Sequence, residues 1–239
     1  MQLWVRVLAL GVTLTSFLAA EPAGNASDQV LDSYLAVSRS QRERLNGSIA
    51  EVSIDAELPQ LHKKGRLSAL RRISRIGRIT YDILRFEGDN SVKNDVIARY
   101  LSAEVQVRES RDQSMAIVPE NYKFAHKGTR EFDGRSVHVF DLKPRAKRKG
   151  LFKGQLWIDA RTYLPVRESG LFVKNPSVFI KRVQFTRDYQ TTNGLAVVAR
   201  LETTVETRVV GQAHMTVHYA DYRFEPSPGD VGLIATDSQ

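Results

Sequence analysis

The chain has 239 residues, no cysteine and a formal net charge of +8 with an isoelectric point near 9.8. The missing cysteines exclude disulfide staples, thiol nucleophiles, cysteine-based metal sites and a lipoprotein-type acylated cysteine. Hydrophobic residues at 42% are ordinary for a globular protein, and the length suits one large β domain.

Residues 1–20 carry one charge, Arg6, followed by an apolar run from Val7 to Ala20. A basic start, a short apolar stretch and small residues at Leu18-Ala19-Ala20 make a cleavable signal peptide. The run falls short of the ~20 apolar residues of a spanning helix. The expected product is exported to the periplasm. The segments 21–27 and 227–239 read as flexible, leaving 28–226 as a single domain.

Residues 28–45 predict an amphipathic helix, with Val30, Leu31, Tyr34, Leu35 and Leu45 at helical spacing. Asn25 or Ser27 suits its N-terminus. A strand follows, in which Val52, Ile54, Ala56 and Leu58 alternate with Glu51, Ser53, Asp55 and Glu57. Pro59 stops it. The stretch 66–76 fits a basic amphipathic helix or a strand entering a hairpin, and the strand is preferred. Ile79, Tyr81 and Ile83 mark the next strand. Residues 91–106 predict a second helix, capped by Ser91, with a stripe of Val92, Val96, Ile97, Tyr100, Leu101 and Val105.

Short strands are expected at 115–118 and 122–127, then further strands to Phe224. Apolar residues change face between Ile180 and Val183, which predicts a bulge. In 195–209 the residues Leu195, Val197, Ala199, Leu201, Thr203, Val205 and Val209 alternate with polar ones, so one face is expected dry and the other wet. Trp157 lies between Leu156 and Ile158 on a strand apolar on both faces. The expected fold is α+β: a half-open antiparallel β-barrel or strongly curved sheet of about 9–11 strands, with helices covering the concave side.

No catalytic signature such as GxSxG, HExxH or a phosphate-binding loop occurs. His214 and His218 are four apart on a strand, hence ~13 Å apart, too far for one ion. Neither enzyme chemistry, a cofactor nor a metal site is expected. The basic charge is clustered: 62–78 holds seven Lys/Arg and 143–153 holds six, with no acid in either. Such clusters attract polyanions. They have almost no aromatics for base stacking, which disfavours nucleic acid.

The segment GQLWIDARTYLPVRESG and the strands after it resemble the LolA/LolB-like outer-membrane lipoprotein-sorting superfamily, over about residues 134–224. There a strand ending in W-I-D turns into L-P-V-R; here these are Trp157, Ile158 and Asp159, then Leu164, Pro165, Val166 and Arg167. The resemblance implies a half-open barrel whose apolar interior takes acyl chains of a lipid or lipidated protein. The expected function is a periplasmic carrier of that kind, touching an anionic membrane surface peripherally. The alternative is an envelope sensor or scaffold acting through a protein partner. Candidate lining residues are Val52, Ile54, Tyr81, Ile83, Val197, Leu201 and Val205. Candidate headgroup charges are Lys63, Lys64, Arg71, Arg72, Lys147, Arg148 and Lys149. The same apolar residues would serve a filled core.

Overall fold

The computed structural model describes residues 23–109, 115–175, 178–208 and 211–225. The expected signal peptide and C-terminal tail lie outside these residues. Helix α1 (Ala23–Arg44) leads into β1 (Ser48–Leu58), a short 3₁₀ turn (Pro59–Leu61), β2 (Lys63–Ile73) and β3 (Ile79–Gly88). A continuous helical stretch follows: α2 (Asn90–Val92), a π-helical segment (Lys93–Ile97) and α3 (Ala98–Glu109). Seven strands complete the domain: β4 (Tyr122–Phe132), β5 (Arg135–Pro144), β6 (Phe152–Asp159), β7 (Pro165–Phe172), β8 (Ile180–Thr192), β9 (Leu195–Thr207) and β10 (Gln212–Phe224).

All ten strands form one curved, unclosed antiparallel sheet in the order β3-β2-β1-β10-β9-β8-β7-β6-β5-β4. The last strand therefore pairs with the first in mid-sheet, Ile54 opposite Val217. The ambiguous stretch 66–76 is strand up to Ile73. Lys63–Ile73 pairs on both sides, so Leu67, Ala69 and Ile73 gain the same buried face as Val52 and Ile54. Residues 115–118 are not a strand. They form a turn in which Val118 O accepts from the amides of Asn121 and Tyr122.

Alternation fixes which side chains meet the core. One line of paired residues crosses the whole sheet: His126, Phe140, Leu156, Glu168, Arg187, Leu201, Val217, Ile54, Leu67 and Phe86. The neighbouring line on the opposite face runs Val139, Trp157, Arg167, Asp188, Arg200, His218, Ser53, Ser68 and Arg85. The first line is largely apolar and the second largely polar, so one face is dry and the other wet. Val30 and Tyr34 of α1, with Val92 and Ile97 of the second helical stretch, join the core cluster of the dry face.

Bulges correct the phase. The expected one in β8 lies between Ile180 and Arg182. A second was not anticipated: Asp188 pairs with Arg200 and Tyr189 with Val198, so Ala199 is the extra residue. Strict alternation through 195–209 therefore breaks. Ala196 and Val198 take the phase of Leu201, and Val197 falls on the other one. Trp157 stands on the wet face with Phe132, Val137, Val139 and Val166 in a small second cluster. The Arg167 guanidinium lies 4.6 Å from the Phe132 ring and 5.7 Å from Trp157. Its Nε reaches Asp188 Oδ1 at 2.5 Å.

Two local features hold β6, one at each end. Asp159 Oδ1 accepts from the backbone amides of Arg161 (3.0 Å) and Thr162 (2.8 Å) and from the Thr162 hydroxyl (3.0 Å). These bonds outweigh burial and hold its carboxyl below the usual range. Its role is thus to build the β6–β7 turn. In the second feature, Gly170 of β7 leaves a gap through which Phe152 of β6 meets Phe185 of β8, ring centroids 4.9 Å apart. A Cβ at Gly170 would lie 2.6 Å from both Phe152 Cδ2 and Lys153 O.

The second helical stretch is capped by Asp89, whose Oδ1 accepts from Ser91 N at 2.7 Å, and not by Ser91. Asn25 and Ser27 lie inside α1, which begins at Ala23.

Gly170→Ala is expected to lower stability by about 1–3 kcal/mol, because the new methyl group must displace backbone or a packed ring. Urea unfolding checks this; an unchanged midpoint would show that β7 can yield at that point.

Candidate functional site

The core face is the candidate site. It combines apolar strand positions with two charged pairs that no apolar pattern would place there. Each pair comes from residues in phase with buried neighbours. Arg71 follows Leu67 and Ala69 on β2. Glu104 follows Ile97 and Tyr100 around the helical stretch. Arg187 and Tyr189 follow Val183 and Phe185 on β8, and Glu168 shares its face of β7 with Phe172, which packs against the core cluster. A charge standing in the apolar phase is the signal in the sequence that could have found them.

The first pair joins sheet to helix. Arg71 donates from Nη2 (2.7 Å) and Nε (3.0 Å) to Glu104 Oε1. Glu104 Oε2 accepts from the hydroxyls of Tyr81 and Tyr100, the latter at 3.2 Å. The Tyr100 hydroxyl also meets the Tyr219 hydroxyl at 2.8 Å, and the Arg71 guanidinium lies 5.8 Å from the Tyr219 ring. Burial alone would raise the Glu104 pKa. The Arg71 charge and the three donors overcome it and leave the pKa lowered.

The second pair lies within the sheet. Arg187 Nη1 donates to Glu168 Oε2 at 2.9 Å, and the Tyr189 hydroxyl donates to Glu168 Oε1 at 2.8 Å. Glu168 is nearly covered, at 8% side-chain exposure, whereas Arg187 keeps 37%. Arg187, in mid-sheet on the core face, is thus only partly covered. Phe172, Val198 and Val205 around the core are likewise only partly buried. Burial pushes the tyrosines up: Tyr122 and Tyr219 to about 12, and Tyr34, Tyr81, Tyr100 and Tyr189 well above their usual value. They stay protonated donors at neutral pH.

Among the candidate lining residues, Val52, Ile54 and Leu201 are buried in the core cluster, and Tyr81 and Val205 pack against it. Val197 is buried but belongs to neither apolar cluster. Ile83 pairs with Ala69 near the sheet edge and is 49% exposed. The seven candidate headgroup charges fall into two groups. Lys63 and Lys64 open β2, and Lys147, Arg148 and Lys149 occupy the β5–β6 loop at the same end of the sheet. Lys63 reaches Asp89 at 3.4 Å, and Arg148 donates to Asn121 Oδ1 at 2.7 Å. Arg71 and Arg72 lie at the far end of β2. Arg71 faces the core, bound to Glu104, so it is not a rim charge. Arg72 faces outward and pairs with Asp82 at 2.8 Å.

An open groove of about 470 Å³ lies elsewhere, at the ends of β10, β1, β2 and β3. Asp55, Glu57, Arg66, Glu87 and His214 line it, and Arg66 Nε meets Asp55 Oδ1 at 2.6 Å. Its charged walls do not suit an alkyl chain. Among the described residues no three His, Cys, Asp or Glu side chains gather as a metal site. No described helix is long and apolar enough to cross a membrane.

No family model matches the sequence, and no curated protein matches it. Solved structures similar in fold include a DUF1329 family protein from Desulfovibrio piger (10% identity, TM-score 0.43, covering 89% of this chain and 98% of that one). A putative outer membrane lipoprotein-sorting protein domain from Vibrio parahaemolyticus gives 14% identity and a TM-score of 0.40, over 87% and 98%. A LolA superfamily protein from Nitrosomonas europaea gives 11% and 0.37, over 85% and 96%.

Glu104→Gln would leave Arg71 without its counter-charge and is expected to cost about 3 kcal/mol at pH 7. The folded-state pKa of Glu104 is depressed, so its contribution is complete above its ordinary value of 4.5 and is lost as pH falls through the folded value. Chemical denaturation between pH 7 and 3 checks this. The wild type should lose stability over that acid range, and the gap to the variant should narrow.

Proposed function

We propose that this protein is an exported binding or carrier protein that takes acyl chains of a lipid or lipidated protein on the core face of its open sheet. One observation supports this above the others: the dry face is largely apolar across the sheet, yet is only partly covered around Arg187 in mid-sheet. Each methylene moved from water onto such a face is worth about 0.8 kcal/mol, so two acyl chains suffice for retention while loose complementarity allows release. The lining would be Val52, Ile54, Tyr81, Leu201 and Val205, with Ile83 at its margin, while Val197 lies on the other face. Lys63, Lys64, Lys147, Arg148 and Lys149 would meet an anionic headgroup or membrane surface.

The reading is of a binding protein rather than an enzyme. Glu104 and Glu168 each answer an arginine and act as structural partners. The signal-like residues 1–20 support a periplasmic location. A second reading, an envelope sensor or scaffold working through a protein partner, draws support from the open edges β3 and β4. Such edges present backbone groups to which a partner strand can add.

The test is native mass spectrometry of the mature protein taken gently from its own envelope. A lipid or acylated peptide at about one per chain is the expected result. Val205→Glu, at a half-buried position, should fold by circular dichroism and lose that cargo. A folded variant with an undiminished load would overturn the lining, and a stoichiometric protein in place of lipid would favour the second reading.

A further inference from the structure

Because strand direction alternates across the whole sheet, β1, β3, β5, β7 and β9 all end on the same rim. The connections on that rim are unlike those on the other. Leu61 of the 3₁₀ turn is 43% exposed, and Val178 and Phe179 of the β7–β8 loop are 78% and 63% exposed. These loops are neighbours through the β9–β10 turn. Arg208 donates its amide to Phe179 O and its Nε to Val178 O, both at 2.9 Å. On the other side of that turn the Gln60 side chain fills the space beside Gly211.

Basic charge lies beside this apolar tip on the β5–β6 and β7–β8 side, while the acids Asp55, Glu57 and Glu87 line the groove on its other side. Residues 142–153 and 171–182 contain no acid, and Lys147, Lys149, Lys174, Lys181 and Arg182 are exposed. On the opposite rim Ile76 is, among the described residues, the large apolar side chain that stands out, and the neighbouring Arg75 is paired with Glu225 at 3.2 Å.

We propose that the first rim docks the protein end-on to an anionic phospholipid bilayer. Val178, Phe179 and Leu61 enter the boundary between headgroups and acyl chains, and the lysines and arginines lie in the headgroup layer. Apolar insertion and basic attraction add at such a surface. A soluble polyanion would satisfy the charges but offer Val178 and Phe179 no apolar phase, which is why a bilayer is the favoured occupant. The proposal uses the rim alone and does not depend on what the core face carries.

The experiment is co-sedimentation of the full mature protein with vesicles of phosphatidylethanolamine and phosphatidylglycerol, and with phosphatidylcholine vesicles. Binding to the anionic vesicles, weakening with salt, is expected. Val178→Asp with Phe179→Asp, and separately Lys147→Glu with Lys149→Glu, should each weaken it about tenfold or more. Ile76→Asp, on the opposite rim, should leave it unchanged. Phe179→Trp, which keeps an aromatic ring, should bind and show a blue-shifted emission on the vesicles. Equal loss in Ile76→Asp, or equal binding to phosphatidylcholine, would overturn the proposal. Full binding by the doubly acidic apolar variant would overturn it in favour of a soluble polyanion. These vesicles contain no lipoprotein, so a failure of the cargo reading leaves the result legible.

Discussion

Everything in this molecule depends on ten strands agreeing about which side is inward. A strand has a two-residue period, so one slipped residue would turn its apolar set out to water. The line from His126 through Leu201 and Ile54 to Phe86 shows the agreement kept across the whole width of the sheet. The bulges near Ile180, Ala199 and the Ser68–Ala69 step are where it is restored after local conflict. They also add twist, which lets so wide a sheet curve without closing.

Against that apolar background the two arginine–glutamate pairs do a different job. Burying an ion pair is rarely a net gain over an apolar substitute, because desolvation offsets the Coulomb attraction. Its value is directional. Glu104 has partners on β2, β3 and its own helix, and Tyr100 extends the set to β10, so the helix can sit on the sheet in only one register. Glu168 and Arg187 tie β7 to β8 beneath the less covered part of the face. An apolar surface that is only partly covered gains fixed points from such pairs, since apolar contact alone does not specify position.

Most strands could be read from alternation, since one dry and one wet face imprint it directly. The sequence failed where a second influence acted. Val197 looked inward because the bulge at Ala199 depends on the partner strand, which no single-strand pattern contains. Arg71 looked like one more charge in a basic run. Its phase with Leu67 and Ala69 points it inward, and Glu104, distant in sequence and on another element, supplies the counter-charge that the strand pattern does not contain. Trp157 showed that β6 is covered on both sides, but its cover is Phe132 and an arginine rather than another layer. The W-I-D segment was visible as a pattern, whereas the reason for its aspartate became visible only in the hydrogen bonds of the turn.

The pairing of β1 with β10 has a consequence for how the molecule is made. Most other strand pairs join sequence neighbours through short turns and can form early, near either end of the sheet. The central seam joins residues from opposite ends of the domain, such as Ser48 and Phe224. Loop-closure entropy makes such a distant contact slow to form. Until β10 has emerged, β1 has an open edge and the dry face is divided in two. The sheet therefore stays unfinished until its last strand is available, so a chain still lacking β10 holds two separate hairpin arrays rather than one continuous core face.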